Sequence, residues 1–227
     1  MSDGPASITF VTSRCRVHGQ PEVTITFADG LLVPDSERLL LGHLEESVAR
    51  GARFSAGQTL ALGGQVLRFT ARADGTLGLE EQVPAPTEQW IEAVDRSVRE
   101  VMLQKFICES VGLPLTFPPP RASLLVARCA QDADAVTLTR VDAGDPKADL
   151  SGWQLSCAEE HQHDERFVLP VLALSALKPA LVPFLALPPG TVVLVTPGPA
   201  HVFFEGEQRQ PLPGSFLAKR NERAQRS

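Results

Sequence analysis

Three consecutive prolines, Pro118-Pro119-Pro120, follow Phe117. Such a run locks φ, removes three backbone donors and cannot lie inside a helix or a central strand. It makes a stiff extended connection, so the 227 residues are expected to divide around it. Each part then has the size of a small domain, about 50–200 residues.

The segments before the prolines read as strands with few helices. Residues 7–15 and 22–28 alternate polar and apolar side chains, with Val23, Ile25 and Phe27 facing one way and Gly19-Gln20-Pro21 between the two runs. That pattern predicts an antiparallel pair. Pro34-Asp35-Ser36 opens a helix whose Leu40, Leu41, Leu44 and Val48 share one face, and Gly51 stands where a helix-ending glycine belongs. Residues 59–62, 66–72 and 77–81 are strand candidates, with Gly63-Gly64 and Asp74-Gly75 as turns. Beyond Pro84-Ala85-Pro86, Thr87 is a candidate cap and Glu88 suits a first helical turn. Trp90, Ile91, Val94, Val98, Val101 and Met102 make an apolar stripe, so the longest helix is expected here, ending at Gly112 and Pro114.

After the prolines come strand candidates at 123–129, 136–141 and 152–157, the last centred on Trp153. Residues 167–174 are strongly apolar, and Pro179 and Pro183 keep any helix in 175–187 short. Residues 191–196 and 201–205 read as a hairpin around Pro197-Gly198-Pro199. The expected fold class is α+β: two small mixed domains, each a mostly antiparallel sheet with one or a few helices, joined by a long helix and a Pro-rich linker. The expected divisions are 1–84 for the first domain, 85–121 for the helix and linker, 122–215 for the second domain and 216–227 for a basic, flexible tail.

Charge narrows the partners. The net charge is −6, which disfavours non-specific nucleic-acid binding. Between residues 130 and 165 nine carboxylates (Asp132, Asp134, Asp142, Asp145, Asp149, Glu159, Glu160, Asp164 and Glu165) face only Arg140 and Lys147. Such a stretch is either a solvated loop or a surface that steers a basic partner. Apolar runs are broken well short of the ~18 residues of a membrane span. The N-terminal residues lack a basic and an apolar region of the secretory kind, so a cytoplasmic location without membrane contact is expected.

Catalytic signatures do not emerge. GxGxxG, GxxxxGK[ST], HExxH and GxSxG are absent, and the chain has no tyrosine. The four cysteines, at 15, 108, 129 and 157, have no CxxC spacing and are expected to be reduced, buried and inert. Cys157, Glu159, His161 and His163 form the densest polar cluster. His161 and His163 would share one face of a strand with Glu159, a pattern able to hold zinc. A zinc site needs three or four convergent ligands, and His18, His43 and His201 are scattered. Cys157 with either histidine would make a nucleophile–base pair, yet nothing marks an oxyanion hole. No cofactor, metal or catalytic residue is expected. Trp153 reads first as a core anchor, and Gly152 before it suggests a bulge; an indole can also present an edge to a partner.

Leu150-Ser151-Gly152-Trp153-Gln154-Leu155-Ser156, an acidic stretch, and then Pro179 through Thr191 with Pro183, Leu187, Pro188 and Gly190 carry a resemblance. Over residues 122–205 the chain resembles the immunity proteins of bacterial polymorphic toxin systems, specifically immunity family thirty-three. Residues 123–128 fit that family's opening strand, and a helix from Val94 through Gln104 and Cys108 fits a segment preceding its core. The chain departs from the family pattern after Trp153, where Cys157-Ala158-Glu159-Glu160 replaces a glycine-containing acidic motif. The resemblance implies a non-catalytic protein that binds and neutralises a cognate toxin. Ser151, Gly152 and Trp153 come from the motif. Asp149, Glu159, Glu160, Asp164 and Glu165 are added by the charge count as the rim around a Trp153 anchor. A basic toxin would suit this surface. An adaptor module of a secretion-linked gene cluster and a metal-assisted enzyme using His161 and His163 are the alternatives.

Overall fold

The computed structural model describes residues 7–28, 33–84, 88–142, 149–162 and 165–226. The chain splits into two compact units, Met1–Met102 and Leu103–Ser227. Both are α+β with mixed sheets, as the sequence predicts. Among the described residues no helix is long and apolar enough to cross a membrane.

In the first unit, β1 (Ile8–Val11), β2 (Val23–Phe27), β3 (Thr59–Leu62), β4 (Gln65–Ala71) and β5 (Leu77–Val83) assemble in the order β1-β2-β5-β4-β3, and β6 (Gln89–Ile91) pairs with β5. Only the β2–β5 contact is parallel among these pairs. The alternation read from the sequence is the buried set, with Val23, Ile25, Phe27, Leu67, Phe69 and Leu79 all in the interior. Helix α1 (Ser36–Ala49) buries Leu40, Leu44 and Val48 at successive turns. It ends as its glycine predicts: Gly51 has φ +102°, its N–H donates to Val48 O at 2.9 Å, and Ala52 N–H donates to Ser47 O at 2.9 Å. This is the paired closing bond of a helix whose last residue turns left-handed.

Helix α2 (Asp95–Val111) starts later than the apolar stripe suggests. Trp90 and Ile91 stand in β6, where Gln82 pairs with Trp90 and Glu81 with Ile91. The buried Glu81 carboxylate fixes the helix start, accepting from Arg96 N–H at 3.2 Å and Ser97 N–H at 2.7 Å. A carboxylate there satisfies orphan amides and complements the helix dipole. Trp90 belongs to the sheet partly because the Arg68 guanidinium lies 4.5 Å from its ring centroid. The expected cap, Thr87, lies outside the described residues. Residues 95–102 of α2 fall in the first unit and 103–111 in the second.

The second unit holds β7 (Ser123–Ala127), β8 (Val136–Arg140), β9 (Leu150–Cys157), β10 (Arg166–Pro170), β11 (Thr191–Val195), β12 (His201–Phe204) and β13 (Glu207–Arg209) in the order β10-β7-β9-β8-β11-β12-β13. Among the described residues of this unit, only the β7–β9 pair is parallel. Leu124, Val126, Leu138, Trp153, Leu155 and Val193 point into one apolar core. Ile107 and Cys108 of α2, Val171 and Leu174 of α3 (Val171–Leu177), and Leu181 through Leu187 complete it.

Within the segment expected as a basic tail, residues 216–224 form a helix. Helix α4 (Phe216–Ala224) is capped by Ser215 Oγ, which accepts from Ala218 N–H at 3.4 Å. Leu217 is fully buried in the core. Its N–H donates to Ser110 Oγ at 3.1 Å, and Asn221 makes two bonds to the Ala200 backbone at 3.0 and 2.9 Å. One buried leucine and a side chain that closes a backbone pair order an otherwise charged segment.

Candidate partner-binding site

The Ser151-Gly152-Trp153 segment is a bulge. Between its contacts with β7, the register advances by two residues on β7, from Ser123 to Leu125, and by four on β9, from Leu150 to Gln154. Gly152 takes φ +78°, a conformation costly for any other L-residue. Ser151 Oγ donates to Ser123 O at 2.8 Å and accepts from Trp153 N–H at 3.2 Å, stitching the bulge. Trp153 alternates with Gln154 and pairs with buried Arg140, so its side chain lies in the core, where it is 1% exposed. Its Nε1–H donates to Leu185 O at 2.9 Å. The partner-facing edge expected of Trp153 is therefore a structural role instead: Ser151, Gly152 and Trp153 are all buried and set the strand.

Arg140 stands beside the indole, its guanidinium 5.4 Å from the ring centroid. Nη1 donates to Thr116 O at 2.5 Å and also to Leu187 O. Burial lowers its pKa to about 10. A buried guanidinium held by carbonyls ties the post-helix segment and the 185–187 turn to β8.

The carboxylates separate into two places. Asp149 is exposed at the start of β9, with Asp142 also exposed at the end of β8. Glu159 and Glu160 are exposed just past the far end of β9. Eight strand residues at ~3.3 Å each put roughly 25 Å between those ends. Asp149 therefore does not share one patch with Glu159 and Glu160. Other acids do. Val136 of β8 pairs with Cys157, so exposed Asp132 and Asp134, just before β8, fall at the same end. Arg166 pairs with Ala127, which brings Glu165 there, its carboxylate 3.4 Å from Arg128. Asp164 and His163 lie outside the described residues.

The sheet face turned away from the core is only half-buried. Val168, Leu125, Gln154, Thr139, Val192 and Phe203 form one row across it by register. Val168 is 59% exposed. A shallow depression of about 100 Å³ lies on it beside Leu125, Thr139, Gln154, Ser156 and Arg166.

Residues 103–205 match the family model of the Imm33-like domain. The second unit carries an Imm33-like domain. The match ends with Glu205, as the motif reading expects, but begins nineteen residues before position 122, at the first residue of the second unit. No curated protein and no solved structure matches the chain. The Imm33-like core thus takes in the second half of α2, whose Cys108 Sγ–H donates to Ala186 O at 3.4 Å and whose Gln104 Nε2 donates to Val182 O at 3.1 Å.

At the acidic end of the Imm33-like sheet, Cys157 and His161 are neighbours, and Cys129 of the 3-10 turn Arg128–Ala130 joins them. Burial pushes the Cys157 thiol above its ordinary pKa, with the Cys129 thiol and Glu159 adding to the shift against a backbone contact at Glu159. Cys129 is partly exposed rather than buried. Linear spacing hid this contact, which the parallel pairing of Val126 with Leu155 creates by placing the ends of β7 and β9 together.

Proposed function

We propose that this chain is an immunity protein that binds and neutralises a cognate bacterial toxin by protein–protein contact, without chemistry of its own. The Imm33-like domain over residues 103–205 carries the reading. The convergence of exposed Asp132, Asp134, Glu159, Glu160 and Glu165 at one end of its sheet supports an electrostatic contact there. The adjoining half-apolar face, with Val168, Leu125 and Phe203, supplies the area that charge alone does not. A basic toxin surface fits this end, since complementary charge speeds encounter and rejects wrong partners. Trp153 serves indirectly by holding β9, and Asp149, at the other end, stands outside the contact.

The test is a binding titration of the protein product of the adjacent open reading frame, as the candidate toxin, with the full chain and with Glu159→Lys/Glu160→Lys. The expected result is a loss of at least about tenfold in affinity and a shallower dependence on salt. Unchanged affinity and salt dependence would remove the acidic end from the contact. Failure of the unaltered chain to bind the toxin or protect cells from it would overturn the immunity reading.

A further inference from the structure

The most concentrated chemistry among the described residues lies beneath that acidic end. Cys129, Cys157 and His161 each place one ligand atom within 4.8 Å of the others. Cys157 Sγ stands 3.8 Å from His161 Nδ1 and 3.7 Å from Nε2. In a tetrahedral zinc site, with sulfur at about 2.3 Å and nitrogen at about 2.0–2.1 Å, adjacent sulfur and nitrogen ligands are about 3.6 Å apart and two sulfurs about 3.8 Å apart. The distance from Cys157 Sγ to Nε2 is close to that separation, and because Nδ1 is almost equally near, the exposed imidazole must rotate to aim one nitrogen at the ion. All three ligand atoms lie within 4.8 Å of one another, so each pair is at most about 1 Å wider than a tetrahedral zinc site needs.

We propose that Cys129, Cys157 and His161 form a zinc-type metal site. The donor set is two thiols and one imidazole, which selects a soft or borderline ion over magnesium or calcium. Binding proceeds as Zn²⁺ plus two thiols and a neutral imidazole, giving a bis-thiolate complex and releasing two protons; water completes the tetrahedron. The three ligands come from three segments: the turn after β7, the last residue of β9 and the loop after it. The metal would pin that turn and loop to the strand end. The arrangement also accounts for a partly exposed cysteine beside a buried one and an exposed histidine. A site of this kind has its own consequence for Glu159 and Glu160, because His161 anchors the loop that carries them. The inference does not depend on the identity of any partner.

The experiment is a Co²⁺ titration of the full, reduced chain, followed by displacement with Zn²⁺. The expected result is one equivalent bound with a near-ultraviolet thiolate-to-cobalt band and the visible bands of a tetrahedral site, all bleached by zinc. Cys129→Ser and His161→Ala, neither at a fully buried position, should each weaken binding by at least about tenfold while circular dichroism shows the fold retained. Cys157→Ser is the third variant, read only if it folds. No thiolate band with cobalt in millimolar excess overturns the proposal, whatever disulfide forms on oxidation. A band that survives intact in both Cys129→Ser and His161→Ala overturns it as well. Because no toxin is present, loss of the cobalt signal and loss of toxin binding remain separate results.

Discussion

The two units use buried charge in opposite ways. In the first, the buried charges are carboxylates, and each is spent on backbone amides or a cation. Glu22 accepts from Thr12 Oγ1 at 2.5 Å, Cys15 N–H at 3.2 Å and Arg16 N–H at 3.0 Å. Glu81 caps α2, and Glu100 receives Gln65 Nε2 at 2.7 Å and Arg96 Nη1 at 3.3 Å. In the Imm33-like unit the buried charge is Arg140, packed on Trp153 and bonded to carbonyls. Loops around acids are gathered by their N–H groups; loops around a guanidinium are gathered by their C=O groups. The sign of the buried ion thus selects which orphan backbone groups a unit satisfies.

Each unit also holds one of the two tryptophans, Trp90 and Trp153. Trp90→Phe and Trp153→Phe backgrounds therefore let fluorescence follow the units separately. The largest effect is expected from Trp153→Ala, which empties the core and loses the bond to Leu185. A loss of about 3–5 kcal/mol is expected, with the Trp90 signal keeping its own transition. Arg140→Met should follow, at about 2–3 kcal/mol, because buried carbonyls of Thr116 and Leu187 lose their donor. A neutral result would mean that these carbonyls find other partners and that the contrast between the units is weaker than drawn.

Glu22→Gln tests the acid half of the comparison. Burial alone would raise the Glu22 pKa, but hydrogen bonds from Thr12 and from the amides of Arg16 and Cys15 outweigh it and the net shift is downward. A depressed carboxylate stabilises the fold above its unfolded pKa, about 4.3. That contribution fades as pH falls through the lower folded value. The variant should lose about 1–2 kcal/mol at neutral pH and show a flatter stability profile below about pH 4, followed by denaturant titration at several pH values. Gly152→Ala should cost roughly 1–2 kcal/mol, the penalty for a side chain in the left-handed region. Glu159→Lys/Glu160→Lys should leave stability within about 0.5 kcal/mol, since both side chains are exposed.

Much of this architecture was legible in local pattern. Alternation at Val23, Ile25 and Phe27 gave a buried strand face, and Gly51 gave a helix end, because period and φ are local properties. The start of α2 was not legible, since Glu81 and the β5–β6 pairing decide it from outside the stripe. Helix α4 was obscured by its charge; the signal was Ser215 ahead of Phe216-Leu217, a cap before apolar residues. For the candidate site, the acids and the glycine bulge could be read directly. Their division between two ends of β9, and the meeting of Cys129 with Cys157, depend on strand order, which no single segment encodes.

The seat of Leu217 has a consequence for how the molecule is made. Leu217 N–H reaches back 107 positions to Ser110 Oγ. As the chain leaves the ribosome, residues 7–28 and 33–84 can find all their sheet partners early. The Imm33-like core must wait, with one side unfilled, until the helix bearing Leu217 has emerged. Newly made chains should therefore pass through a stage with one finished half and one sticky half. A truncation just before Ser215 should arrest them there.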